Sequence, residues 1–415
     1  MDERAEGPVG VKLRILVMTA VAMIGGCIGA AAQTEEGGPD PAAVAIQFGP
    51  LWVTPRLQLT NFGVDSNVFN APNGQEQKDV TATVSPSADV WLRFGESWLQ
   101  VTVREDAVWF QKYVSERSAN TNYTAKVTMP LNRLRVVAAQ TYLHTHERPG
   151  FEIDARAQRT EYGGEAAADV RGFAKTYFGV SGTYRKIAFN NDAVFLGENL
   201  HDQLNHVSTT AGAYVRYQVT PLTQFTFTLS QAKDRFAFSS LRDANTTDAA
   251  FTVTFDPHAV IHGAVTVGYR HFRPLVPGLA EYIGSAARGD LTYSLLGVTR
   301  FQAQFKRDIG YSYDINQPYY LETGVTGSVA QQIFGPLDVV GRGGYSQLAY
   351  RDRFGALVAV SNRSDYIHSY GGGVGYHVGK DVRIGFNVDQ QHRLSPDAAR
   401  QYDDLRFGTS ITYGF

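Results

Sequence analysis

Leu405-Arg406-Phe407-Gly408-Thr409-Ser410-Ile411-Thr412-Tyr413-Gly414-Phe415 ends the sequence. From Leu405 onward every odd position is compatible with lipid, and the even positions are Arg, Gly, Ser and Thr. Successive side chains of a strand point to opposite faces, so this stretch predicts a strand with one apolar and one polar side. Chain ends in water usually fray. An apolar strand that runs to a terminal Phe415 gains little in water and much beside hydrocarbon.

The same period continues backwards to Leu51. Phe225-Thr-Phe227-Thr-Leu229 alternates, and so do Val382-Arg-Ile384-Gly-Phe386-Asn-Val388-Asp389 and Val265-Thr-Val267-Gly-Tyr269-Arg270. In Phe301-Gln-Ala303-Gln-Phe305-Lys306 the polar partners are large. This is strand patterning, without a long amphipathic helix. Short turn signals fall at Gly95-Glu96-Ser97, Pro130-Leu131-Asn132, Arg171-Gly172-Phe173, Pro221, Asp256-Pro257, Gly297, Gly335-Pro336 and Gly379-Lys380-Asp381. Between them lie longer polar connections, at 65–78, 144–156, 190–202, 272–288 and 351–364. Short turns that alternate with long loops are the rhythm of transmembrane barrels, with tight periplasmic turns and long outer loops. Hydrocarbon offers no hydrogen bonds, so strand edges must be paired, and closure achieves that. The fold class expected is therefore all-β: a transmembrane antiparallel up-and-down β-barrel. Eight short turns give nine hairpins and about 18 strands, or about 16 if one weak hairpin is spurious.

Composition agrees. The chain has 415 residues and a net charge of -2, which suggests no nucleic-acid partner. After residue 32 no apolar run is long enough for a membrane helix. Lys12 and Arg14 precede the apolar run Ile15–Ile24, and Ala30-Ala31-Ala32 precedes Gln33. This order predicts a signal peptide over residues 1–32, cleaved after Ala32 with Ala30 and Ala32 as the small recognition residues. The acidic first ten residues point to translation starting near Val11. A rival reading takes Ile24-Gly25-Gly26-Cys27 as a lipidation site. Cys27 is the single cysteine, so the mature chain would have no disulfide, thiolate metal site or cysteine nucleophile. Residues 33–48 are rich in Gly, Pro and Ala and read as a periplasmic N-terminal linker. The barrel is expected over 49–415.

Aromatic residues cluster beside the short turns: Trp91, Phe94, Trp98, Phe173, Tyr177, Phe301, Phe334 and Tyr413. They are expected to form an interfacial girdle. Phe407, Ile411, Tyr413 and Phe415 resemble the terminal assembly signal of bacterial outer-membrane proteins, read by the barrel-assembly machinery.

No catalytic constellation stands out. His144 and His146 form an H-x-H pair without a third ligand, and Asp65 and Asn67 read as loop-solvating groups rather than calcium ligands. No metal and no cofactor is expected. A charge facing lipid costs roughly 2–4 kcal/mol at the midplane, so strand charges are expected to point inward. That places Arg56, Arg104, Asp106, Lys126, Arg135, Arg185, Arg216, Lys306, Arg342, Arg383, Asp389 and Arg406 on the lumen, with Asp89 and Asp338. They are either paired ladders that fill the barrel or the lining of a wet channel. The apparent excess is basic, which favours an anionic solute.

Phe48-Gly49-Pro50-Leu51, Pro55-Arg56-Leu57, Gly63-Val64-Asp65-Ser66-Asn67-Val68-Phe69, Asp79-Val80 and Val84-Ser85-Pro86 resemble the opening of the putative β-barrel porin 2 family. The likeness is densest in the first hairpin and elsewhere lies in rhythm and in the terminal strand. It implies a large barrel in the cell outer membrane of a Gram-negative bacterium, often linked to exopolysaccharide export. The expected function is a non-enzymatic channel for a polar solute, anionic or polysaccharide. One alternative is a plugged structural barrel that docks a periplasmic polysaccharide-export component; another is a membrane-embedded hydrolase. Outer-membrane lipid is an expected partner in every case.

Overall fold

The computed structural model of the chain describes residues 38, 39, 46–256, 259–356 and 358–414. Ala30, Ala32 and Gln33 of the expected cleavage site, Cys27, and the terminal Phe415 lie outside them.

Alternating sequence produces long strands throughout. The first six are β1 (Leu51–Asp65), β2 (Asp79–Phe94), β3 (Ser97–Phe110), β4 (Ser118–Leu131), β5 (Leu134–Thr145) and β6 (Arg159–Arg171). Then come β7 (Thr176–Phe189), β8 (His206–Thr220), β9 (Thr223–Phe236), β10 (Ala244–Phe255), β11 (Ile261–Pro274) and β12 (Tyr282–Leu295). The last six are β13 (Thr299–Tyr311), β14 (Tyr319–Phe334), β15 (Leu337–Arg351), β16 (Ser364–Val378), β17 (Val382–Leu394) and β18 (Tyr402–Tyr413). Each pairs antiparallel with its chain neighbours, and β18 returns to β1, with Phe407 opposite Val64 and Tyr413 opposite Leu57. The result is a closed barrel of 18 strands.

β1 extends past the end of β18. The short segment Ile46–Phe48 folds back to pair with Leu51–Val53 and covers that free stretch of edge. The sheet therefore begins inside the segment expected to be linker. Short connections are present at seven of the eight expected places; the eighth, Asp256-Pro257, lies partly outside the described residues. Gly95, Gly335 and Gly379 take positive φ there, as does Asn132, which is the backbone that a tight hairpin demands. Long connections occupy the opposite rim, the extracellular one by the usual arrangement of such barrels.

The two faces separate as the alternation predicts. Phe225, Phe227 and Leu229 are exposed on the outside of β9, as are Ile384, Phe386 and Val388 on β17 and Phe407, Ile411 and Tyr413 on β18. Strand charges mostly take the other parity. Glu105 is an exception: on the apolar parity of β3, its carboxylate accepts from Thr121 Oγ1 at 2.8 Å and from the Tyr123 hydroxyl.

The girdle needs correction. Phe94, Phe173, Phe301, Phe334 and Tyr413 are exposed on the outside. Trp91, Trp98 and Tyr177 instead have inward parity. Trp98 packs against Trp52 and Trp91, with ring centroids 5.7 and 6.4 Å away, and Gly38 of the N-terminal segment lies against its indole. Tyr177 lies under the Arg216 guanidinium at 4.2 Å. Nearness to a turn sets an aromatic residue's depth; only its parity sets its face.

Candidate functional site

Arginines and carboxylates on neighbouring strands meet across the inner wall, because each strand sends every second side chain inward. Arg56 on β1 pairs with Asp89 on β2, which also accepts from Thr102 Oγ1 at 2.7 Å. Arg104 pairs with Asp106 at 2.8 Å on β3. Asp169 on β6 is almost wholly buried and gathers three donors: Arg135 at 2.8 Å, Arg216 at 2.8 Å and the Tyr214 hydroxyl at 3.0 Å. Arg185 reaches Glu161 at 2.6 Å, and Lys306 reaches Glu322 at 2.7 Å. Arg342 forks onto Asp389 at 2.5 and 2.6 Å. Arg383 and His377 converge on Asp338. Arg406 bridges Asp65 and Asp404 at 2.9 and 2.7 Å.

All twelve sequence-predicted charged residues thus have inward parity, and eleven are in ion pairs. Lys126 is the twelfth. It shares a cross-strand row with Glu165, one strand apart. The reading of a basic excess does not hold at this wall. Glu161, Glu165, Asp169, Asp248, Asp308 and Glu322 balance the arginines and had gone unnamed. Arg270, between Asp248 and Asp308, was also missed, although counting charges of both signs at one parity finds the whole group. Several pairs remain partly wet, with side-chain exposure of 32% for Arg185, 35% for Lys306 and 42% for Asp389, whereas Arg216–Asp169 and Arg383–Asp338 are nearly buried.

The outer mouth is different. The connection 146–158, between β5 and β6, reaches across to the far wall. Arg393 on β17 donates to Phe151 O at 2.5 Å, to Asp154 at 2.7 Å and to Asp365 of β16. Arg400 donates to Glu152 O at 2.6 Å. The Glu152 carboxylate accepts from Ser312 Oγ at 2.6 Å and from the Tyr350 hydroxyl. Ile153 and Ala157 of the same segment sit in an apolar cluster with Phe189, Phe195, Leu200, Leu204 and Tyr313. Arg393 and Asp365 are wholly buried.

Other connections are tied to it. Asn70 Nδ2 donates to Asp154 O at 3.3 Å, and Arg156 donates to Glu116 O at 3.0 Å. Arg242 holds Ser312 O, Tyr313 O and Gln203 at 2.7–3.0 Å, and burial pushes its guanidinium pKa down to about 10. A constriction thus forms from a segment whose polar sequence reads as solvated loop. Its only local signal is the pair of apolar residues Phe151 and Ile153 flanking Glu152.

The remaining candidates are structural. His144 Nδ1 lies 3.0 Å from Thr160 Oγ1. Burial, and then the charge of Arg156, hold the pKa of His146 below its usual value. Asp65 accepts from the Asn67 amide at 2.9 Å and pairs with Arg406. Among the described residues no group of three or more His, Cys, Asp or Glu side chains is arranged to hold a metal. Phe407, Ile411 and Tyr413 form the lipid face of the closing strand.

Several solved structures have similar folds. Pseudomonas aeruginosa OccK9 (OpdG) is 13% identical at a TM-score of 0.47, with 87% of this chain and 97% of that one covered. OpdK of Pseudomonas aeruginosa, solved with vanillate, is 10% identical at 0.46, with 87% and 98% covered. OccK2 (OpdF) of the same organism, in complex with glucuronate, is 10% identical at 0.47, with 87% and 97% covered. No curated protein matches the chain. A closed barrel with an apolar outer band belongs in the outer membrane. The family described as Putative beta-barrel porin 2 matches residues 39–415, and the chain belongs to that family.

Proposed function

We propose that the barrel is a channel for small polar solutes, narrowed at its outer mouth by the segment 146–158. The contrast in wetness carries this reading. Many charges of the wall keep part of their surface exposed, from 20% for Asp248 to 35% for Lys306 and 42% for Asp389. Arg393 and Asp365 at the mouth keep none. A barrel plugged along its length would bury both sets.

The balance of charge argues for weak selection by sign, because most inward arginines have a carboxylate a few ångströms away, Arg288 opposite Lys306 being an exception. That is a revision of the anion preference expected from the cations alone. The narrowed mouth also suits a small solute better than a polysaccharide chain. The plugged barrel that docks an export component is the second reading. It is favoured by the dry network between 146–158 and the far wall, which would have to loosen for any solute to pass.

Planar-bilayer recordings on the purified, folded protein test the proposal. Defined conductance steps are expected, with a reversal potential near zero in a salt gradient. Replacing Arg104, Arg185 and Arg383 together with Gln leaves Asp106, Glu161 and Asp338 short of counter-charge. The variant should prefer cations, more so at low salt, since the Debye length grows to ~30 Å at 0.01 M. A silent wild-type barrel would remove the channel reading and leave the plugged one.

A further inference from the structure

Several strand cations take the outward parity, Arg307 on β13 and Arg351 on β15 among them, and four lie together. Lys186 on β7, Lys233 and Arg235 on β9, and Arg273 on β11 share the parity of the exposed apolar residues Tyr184, Leu229 and Tyr269. They therefore point out of the barrel. The register brings them together: Lys186 and Arg235 both stand opposite Val207, and Lys233 and Arg273 both stand opposite Asn245. All four lie within a few residues of the strand ends that carry the long connections, so they sit at the outer rim.

Among the described residues none of the four pairs with a carboxylate. This sets them apart from the inward arginines, which nearly all do. Arg235 is nonetheless held in place, with Nη1 donating to Ala244 O and Nη2 to Asn245 Oδ1, each at 2.8 Å. Beside it a cleft of about 790 Å³ is lined by Lys186, Val207, Arg235, His201, Phe238 and one acid, Asp192. Phe238 is 62% exposed and stacks on His201 at 4.6 Å.

We propose that this patch binds the phosphate groups of an anionic lipid in the outer leaflet. Charge complementarity selects the occupant. The cations lie near the outer rim, with Thr209, Gln231 and Thr247 and then the exposed apolar residues Val180, Val215, Phe227 and Leu229 below them. A phosphate there has its acyl chains below it, and Phe238 offers an apolar edge beside it. Solvated rim cations would need no such row, and a soluble anion would find no use for the band beneath. Basic side chains near a membrane surface attract anionic lipid with about five-fold in affinity per charge. The proposal rests on the outer-membrane location and not on whether the pore conducts.

The test uses the folded full-length barrel in neutral detergent micelles doped with diphosphorylated lipid A, and counts lipid retained per barrel by native mass spectrometry. The wild type should retain it and should retain the dephosphorylated form at least ten-fold less. Replacing Lys186, Lys233, Arg235 and Arg273 together with Gln should lower retention of the phosphorylated lipid by at least ten-fold. Equal retention of the two lipids by the wild type overturns the proposal without any variant, so a misfolded mutant does not shelter it. Undiminished retention by a folded variant overturns it as well.

Discussion

Replacing Arg393 with Gln should open the outer mouth and raise single-channel conductance several-fold. The wild-type guanidinium is wholly buried and satisfies Asp154, Asp365 and the carbonyl of Phe151 together. Without it Asp365 keeps only Arg363 at 3.5 Å and Asp154 only Arg400 at 3.9 Å as cationic partners, and removing one partner of a buried pair costs about 3–5 kcal/mol. The wall cannot move, because Asp365 belongs to a strand paired on both sides. The segment 146–158 can, and hydrating Asp154 by swinging outward relieves the imbalance. Movement should also expose Arg148 and Arg156, which are now tied to Val68 O and Glu116. Trypsin should then nick the variant after Arg156 in intact cells and leave that bond of the wild type whole; Arg148 precedes Pro149 and stays uncut. Unchanged conductance together with an unchanged trypsin pattern would mean that the apolar contacts of Ile153 and Ala157 suffice to hold the segment.

The barrel was legible in the sequence because its physics is local. Period-2 alternation, eight turn signals and longer polar connections between them require only neighbouring residues, and the strand count followed. The inward list was legible for the same reason: Arg342, Arg383 and the others flank lipid-facing residues by one position. What escaped was anything set by contacts between distant strands. Asp169 looks like any strand acid until β5 and β8 bring Arg135, Arg216 and Tyr214 around it. The segment 146–158 reads as solvent-exposed because its acids find their partners some 240 residues away, as Asp154 and Arg393 do. Trp91 and Trp98 were placed by their distance from a turn when parity was available and would have turned them inward. The rule that strand charges face the lumen also failed at the rim, where Lys186, Lys233, Arg235 and Arg273 lie. The cost of a charge on the lipid face falls to about 0–1 kcal/mol near the interface, so depth decides whether the rule applies.

Depth also makes Phe407 the most sensitive position of the closing seam. Its side chain is 42% exposed on the lipid face of β18, with Val64 of β1 on one side and Val388 of β17 on the other. Several residues of strand separate it from either rim. Phe407→Arg should therefore cost roughly 2–4 kcal/mol from lipid exposure alone. The seam has little freedom to absorb that by slipping. β1 carries a bulge between Leu59 and Phe62, with Asn61 at φ 54°. Beyond it Gly63 lies so close to the Phe407 carbonyl that any β-carbon there would collide. A one-residue slip would put a side chain at this contact and carry Arg406 into lipid. The expected outcome is loss of the fast-migrating band in unheated gels, with unfolded protein held in the periplasm. Phe407→Leu should assemble normally. Arg406→Gln, which faces Asp65 and Asp404 on the lumen side, should also insert, and this separates a lipid-face effect from general damage to the strand. Normal insertion of Phe407→Arg would show that the closing strand tolerates charge at mid-depth, and the assignment of its odd positions to lipid would have to be abandoned.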